Sequence, residues 1–144
     1  MYKIALAVIL LLVLPSPAIA CSCMLPAGSQ SDHVRRAFKQ ADAVFSAYGQ
    51  SIHYREVDGH RTRMVKLRIL QVWKGDLQPN TWIDVVSDEA GLIGCSYIAE
   101  ADRALMVYVS GKQPYGLATC SLTGPLERAT EDIPLLNKLS KRGR

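Results

Sequence analysis

The sequence lacks the motifs that carry the common catalytic chemistries. It contains no H-E-x-x-H pair of metal ligands, no G-x-S-x-G nucleophile elbow, no phosphate-binding P-loop and no dinucleotide-binding fingerprint. The three histidines, His33, His53 and His60, are not spaced to lie on one helix face. We therefore expect that the protein is not an enzyme and that it holds no cofactor of its own.

Long hydrophobic runs are also absent. The one apolar run, residues 4–14, has about 11 residues, whereas a membrane-spanning helix needs about 20. Lys3 precedes this run, and Pro15-Ser16-Pro17 ends it before Ala18-Ile19-Ala20, the small-residue pattern that a signal peptidase recognises. We expect residues 1–20 to be a secretory signal peptide. The alternative is a bacterial lipoprotein anchored through Cys21, although such sites usually carry a larger aliphatic residue at position 18.

The chain has no strong charge bias. It carries 17 basic and 13 acidic residues, and removal of residues 1–20 takes away one lysine and no acid, which leaves a net charge of +3. The surplus lies in the tail, at Lys138, Lys141, Arg142 and Arg144. Because no dense basic stripe with interleaved aromatic residues is evident, we expect no nucleic-acid partner. Residues 21–144 contain no repeat or linker, so we expect one monomeric domain.

Cysteine is scarce, and all four cysteines, Cys21, Cys23, Cys95 and Cys120, follow the predicted signal peptide. An even count in an exported chain indicates disulfides. A Cys21–Cys23 bond would be strained, because an extended chain holds the Cα atoms of residues i and i+2 about 6.6 Å apart, at the long limit for a disulfide; two pairings remain. A four-cysteine zinc site would normally show C-x-x-C pairs, which the sequence lacks.

Alternating hydrophobicity predicts a mainly β domain. The Asp58-Gly59 pair indicates a hairpin. A short helix is expected at 32–40, capped by Ser31 or Asp32, and a second at 125–139, interrupted or kinked by Pro134. We expect Trp73 or Trp82 to be partly buried. The predicted strands are 43–54, 62–73, 82–86, 104–110 and 117–121, and they suggest a five-stranded antiparallel barrel of the oligonucleotide/oligosaccharide-binding (OB) type.

Five segments together resemble the inhibitory domain of the tissue inhibitors of metalloproteinases. They are Cys21-Ser22-Cys23-Met24-Leu25-Pro26, Ala41-Asp42-Ala43-Val44-Phe45, Val65-x-Leu67-x-Ile69-x-x-Val72-Trp73-Lys74-Gly75, Cys95 and Cys120-Ser121-Leu122. The resemblance extends over nearly all of 21–144 and implies a netrin-like OB barrel with Cys21–Cys95 and Cys23–Cys120 disulfides. The third disulfide of the animal inhibitory domain and the animal C-terminal domain have no counterpart here.

The resemblance also implies a function and its residues. The α-amino group and carbonyl of a free N-terminal Cys21 would chelate the catalytic zinc of a target metalloendopeptidase, and Ser22 would enter its main specificity pocket. Cys23, Met24, Ile93 and Gly94 would complete the contact surface. The expectation is thus a secreted inhibitor, extracellular or, in a bacterium, periplasmic, with no membrane contact unless Cys21 is lipidated. The alternative is an exported netrin-like module with a binding or structural role and no inhibitory activity.

Overall fold

The computed structural model describes residues 23–24, 26–87 and 96–142. The predicted signal peptide, Cys21, Ser22 and the segment 88–95 lie outside the described residues, and with them the expected Cys21–Cys95 disulfide and the candidate contacts Ile93 and Gly94. In the ranges that are described, no helix combines the length and apolar character needed to cross a membrane.

Helix α1, Gln30–Gln40, begins two residues earlier than predicted, and its cap is Ser29 rather than Ser31 or Asp32. The Ser29 hydroxyl accepts a hydrogen bond from the Asp32 backbone N–H, and the Asp32 carboxylate accepts one from the Ser29 N–H at 3.0 Å. This reciprocal capping box satisfies two N–H groups that a helix start otherwise leaves unpaired. The Ser29 hydroxyl also donates to the Asp32 carboxylate at 2.7 Å, and this bond together with the one from the Ser29 N–H lowers the pKa of the Asp32 carboxyl below its ordinary value.

The described part of the chain forms one six-stranded mixed sheet. Its strands are β1 Ala43–Val57, β2 His60–Lys74, β3 Trp82–Val86, β4 Ala104–Val109, β5 Tyr115–Gly116 and β6 Gly124–Pro125. The order is β5-β3-β2-β1-β4-β6. The predicted hairpin is confirmed: β1 and β2 pair antiparallel around Asp58-Gly59, where both residues have positive φ.

The prediction of five antiparallel strands is wrong in its details. The sheet has six strands, β3 pairs with β5 in parallel, and β5 and β6 form its two open edges. The predicted strand at 117–121 is mostly a turn instead. Ala118 forms an isolated bridge with Ser96, and the Leu117 N–H donates to the Val86 carbonyl of β3 at 3.0 Å. The Ser121 hydroxyl lies 2.7 Å from the Ala118 carbonyl oxygen, a local hydrogen bond that competes with strand pairing.

Apolar side chains pack on both faces of the sheet. We call the inner face the one that carries the larger cluster, which includes Phe45, Val65, Leu67, Ile69 and Val107. Strict alternation from Ile69 would place Val72 on the opposite face, but Val72 packs against this inner cluster. The reason is a register shift: Ser46 pairs with Gln71 and Ala47 with Ile69, so that Leu70 is an extra residue that changes the alternation of β2.

The outer face is partly covered by the helices. Its cluster joins Val34 of α1, Val44, Trp73, Met106, Tyr108 and Leu136. The predicted helix at 125–139 is divided into a 3₁₀ helix, Leu126–Asp132, and helix α2, Ile133–Arg142. Pro134 lies in the first turn of α2, where its missing N–H removes no hydrogen bond. Trp73 is buried and its indole N–H donates to Asn137 Oδ1 at 2.7 Å, whereas Trp82 is 45% exposed.

Candidate functional site: the tethered N-terminal segment

A disulfide joins Cys23 to Cys120. The bond confirms one of the two predicted bridges, and its cysteines are 97 residues apart in sequence with Cα atoms 5.3 Å apart. Both cysteines are exposed, so the bridge lies on the surface and not in either apolar cluster. Since Cys23 follows Cys21 by two residues, the bridge fixes the chain immediately after the predicted new N-terminus.

The turn that carries Cys120 is itself fixed to strand β4. Thr123 is buried, and its hydroxyl accepts a hydrogen bond from the Tyr108 N–H at 3.0 Å and donates one to the Tyr108 carbonyl at 3.1 Å. The Ser121 hydroxyl lies 2.8 Å from Thr123 Oγ1. The disulfide therefore connects the N-terminal segment to a turn that is hydrogen-bonded to the central sheet.

Met24 is the one predicted contact residue, besides Cys23, that lies within the described residues. Its side chain is 93% exposed, although burial of an apolar side chain away from water is favourable. A cleft of about 250 Å³ lies beside it, and its lining includes Pro26, His33, Arg36 and Cys120. The segment thus presents an apolar side chain and, next to it, a recess with a cationic and an imidazole group, which suits contact with another protein chain.

Arg63 of β2 was not among the predicted site residues. It links residues that lie on either side of the segment 88–95. Its guanidinium donates to the carbonyl and hydroxyl of Ser87, at 3.0 and 2.9 Å, and to the Ala99 carbonyl at 2.7 Å. The buried Ser87 hydroxyl in turn accepts from the Ala99 N–H at 2.7 Å and donates to the Tyr97 carbonyl. The flanks of the segment that carries Ile93, Gly94 and Cys95 are therefore held by one network.

Two of the motifs that carry the resemblance, 41–45 and 65–75, contribute to the fold and do not line the cleft. Lys74 Nζ donates to the carbonyls of Phe38 and Lys39, at 2.9 and 3.2 Å, and to that of Ala41. Lys74 therefore caps the C-terminal end of α1. Gly75 has φ of 98°, and a Cβ there would lie 2.8 Å from the Ala43 Cβ. These residues explain why the Ala41–Phe45 and Val72–Gly75 motifs occur together: they contact each other.

A metal site of its own is not evident in the part of the chain that the structure describes. Across 23–24, 26–87 and 96–142, no group of three or more His, Cys, Asp or Glu side chains is arranged to hold a metal ion.

No protein-family model matches the chain, and no curated protein matches it in sequence.

Proposed function

We propose that the protein is an exported inhibitor of zinc metalloendopeptidases that acts through Cys21 as its free N-terminal residue. The observation that carries the proposal is the Cys23–Cys120 disulfide, which fastens the chain two residues after Cys21 to the sheet. A second support is Met24, which stands exposed beside the cleft at that bridge. A preformed, rigid contact segment loses little conformational entropy when it binds.

The proposed mechanism uses the backbone of Cys21 as the ligand. A catalytic zinc site has three protein ligands and an open position occupied by water. The α-amino nitrogen and carbonyl oxygen of Cys21 would displace that water as a five-membered chelate. The amine must be neutral to bind, and because α-amino groups have pKa values of about 7.7 to 8.0, deprotonation costs little near neutral pH. Ser22 would enter the specificity pocket, and Ile93 and Gly94 would flank the chelate.

For the fold, we propose a netrin-like barrel of the OB type. Three features of the sheet support it. The neighbouring strands follow the order β4-β1-β2-β3, which is the order of a Greek key. Strands β1 and β2, of 15 residues each, pair along nearly their whole length with three register shifts, and such bulges bend a sheet. The inner cluster draws side chains from β1, β2, β3, β4 and β5, as the interior of a partly open barrel would.

The test is to block the α-amino group of Cys21. We would compare the chain beginning at Cys21 with a variant carrying one additional alanine before Cys21 and with a carbamylated sample. Blocking removes a metal ligand and introduces a steric clash, so we expect a loss of more than about 4 kcal/mol of binding, roughly a thousandfold rise in the inhibition constant. Inhibition would be measured against a panel of zinc endopeptidases.

Two controls make the result interpretable. The alanine variant leaves every lysine unmodified, so agreement between the two blocked forms separates the terminal amine from lysine carbamylation. Replacement of Ser22 by Gly should cost only about 1 to 3 kcal/mol, because it empties a pocket and keeps the chelate. Equal inhibition by free and blocked forms would rule out the mechanism.

A second candidate function is an exported binding or structural module without inhibitory activity. The packing of Lys74 and Gly75 favours this candidate. Both residues stabilise the fold, so the motif that contains them supports a shared fold more strongly than a shared inhibitory activity. Absence of inhibition by the correctly processed chain across the whole panel would select this candidate.

A further inference from the structure

The methionines of the chain differ widely in their exposure to solvent. The sequence has four, and one of them, Met1, belongs to the predicted signal peptide. Met64 in strand β2 and Met106 in the outer cluster are both 0% exposed, whereas Met24 is 93% exposed. A reagent that attacks thioethers from solution would therefore reach a single methionine sulfur atom of the folded chain that begins at Cys21.

Met24 lies beside an unused hydrogen-bond donor. Met24 and Arg36 line the same cleft of about 250 Å³. The Arg36 guanidinium is 3.5 Å from the Ala27 carbonyl oxygen, and within the described ranges it forms no ion pair. A guanidinium has five N–H donors, so Arg36 can donate to an acceptor that is newly formed at Met24.

We propose that Met24 is a reversible oxidation site whose modification weakens binding of the target protease. The effect on binding rests on the proposed inhibitory function. Hydrogen peroxide transfers one oxygen atom to the Met24 sulfur: the peroxide O–O bond breaks, an S=O bond forms, the sulfur loses two electrons and water is released. A methionine sulfoxide reductase reverses the step, with a dithiol that is oxidised to a disulfide and with water as the second product.

Oxidation changes the polarity of the apolar side chain that the N-terminal segment presents. In the proposed complex Met24 contacts the protease, and burial of a sulfoxide oxygen without a hydrogen-bond partner is unfavourable. In the free chain the Arg36 guanidinium can donate to the same oxygen, which favours a side chain turned into the cleft. Both effects stabilise the free chain relative to the complex, so the affinity for the protease falls.

The other sulfur atoms at this surface do not compete for the oxidant. Cys23 and Cys120 are bonded to each other, and peroxide attacks cysteine as the thiolate. The fold does not depend on Met24 either, because its side chain is almost fully exposed. A change of inhibition after selective oxidation would therefore report on the contact segment and not on unfolding.

The experiment treats the chain beginning at Cys21 with hydrogen peroxide at neutral pH, which leaves the α-amino group of Cys21 unmodified. Peptide mass spectrometry would follow each methionine in the folded chain and in urea. We expect Met24 to be oxidised at least about tenfold faster than Met64 and Met106 in the folded chain, and all three at similar rates in urea. The inhibition constant should rise about tenfold, and treatment with methionine sulfoxide reductase should restore it.

Two variants assign the change in inhibition to Met24. Met24→Leu removes the sulfur and keeps an apolar side chain of similar volume, so its inhibition constant, whatever its starting value, should not change on peroxide treatment. Met24→Gln places a polar group at the same position and should inhibit more weakly than the unmodified chain before any treatment.

Three results would overturn the proposal: oxidation of Met64 or Met106 as fast as Met24 in the folded chain, unchanged inhibition by the fully oxidised chain, or an equal loss of inhibition in peroxide-treated Met24→Leu. Failure of the proposed function is a separate result, because the chain would then not inhibit even before peroxide treatment. In that case the proposed effect on binding is also wrong, and peptide mapping with reductase repair decides whether Met24 is the oxidation site.

Discussion

Tyr108 has a buried hydroxyl for which the described residues offer no hydrogen-bond partner. The side chain belongs to the outer cluster and is 3% exposed. Burial raises the pKa of the phenol far above its ordinary value of 10, and the nearby Asp132 carboxylate raises it further. An unpaired buried hydroxyl contributes little to stability. A phenol whose pKa is raised by folding also lowers the free energy of unfolding at high pH.

We predict that Tyr108→Phe is tolerated at neutral pH and protects the protein at alkaline pH. At pH 8 the free energy of unfolding should be unchanged or higher by up to about 1 kcal/mol. Above about pH 10 the unfolded tyrosine ionises while the folded one stays protonated, so the unmodified chain loses about 1.4 kcal/mol per pH unit through this group. The variant lacks this loss. Urea unfolding at pH 8, 10 and 11 would measure this loss in both chains. The same decrease of the unfolding free energy with pH in the two chains would contradict the prediction.

Lys74 connects two elements, because its ammonium reaches from the end of β2 to the last carbonyls of α1. A helix end leaves carbonyls unpaired and carries partial negative charge, so a cation there acts both as hydrogen-bond donor and as counter-charge. The Phe38 ring lies 5.5 Å from the same ammonium and adds a cation–π contact.

We predict that Lys74→Met lowers the free energy of unfolding by about 1.5 to 3 kcal/mol, with part of the helical circular dichroism lost. Methionine keeps most of the apolar stem and removes only the charged donor. Lys112→Met, in an exposed loop, is the control and should change stability by less than about 0.5 kcal/mol. A loss no larger than that of the control would mean that the ammonium contacts do not stabilise α1.

How far the sequence predicts these elements depends on their length. Strands β1 to β4 have enough residues for an alternating pattern, and Asp58-Gly59 marks the hairpin, so these elements are predictable. Strands β5 and β6 have two residues each, too few for any period. The prediction of a strand at the Ser121 turn was wrong, because the local hydrogen bonds of this turn do not change the hydrophobicity pattern from which strands are predicted.

The contacts of the candidate site are also only partly predictable from the sequence. The Cys23–Cys120 bridge could be predicted only through the resemblance, since spacing alone left two pairings open. Arg63 could not be predicted as the residue that joins Ser87 to Ala99, because a strand arginine that turns inward has the same local sequence as one in solvent.

On the scale of the whole molecule, the Cys23–Cys120 bridge closes most of the described chain into one loop, with 97 residues of sequence separation. In the chain-entropy account, a loop of that length stabilises the folded state by about 4 to 5 kcal/mol, less any native strain. Since both cysteines are exposed, the apolar clusters do not depend on the sulfur atoms for packing.

We predict that the double variant Cys23→Ser with Cys120→Ser folds to the same sheet but is less stable by about 2 to 4 kcal/mol in urea unfolding, with an unchanged far-ultraviolet spectrum. Metalloendopeptidase inhibition should fall even under conditions in which the variant is fully folded, because the N-terminal segment then loses its attachment to the Thr123 turn. Met24→Ala provides the control: its side chain is 93% exposed, so stability should stay within about 0.5 kcal/mol of the unmodified chain. A folded double variant that inhibits as well as the unmodified chain would show that the bridge stabilises the domain without positioning Cys21, and the rigid-segment argument for inhibition would fail.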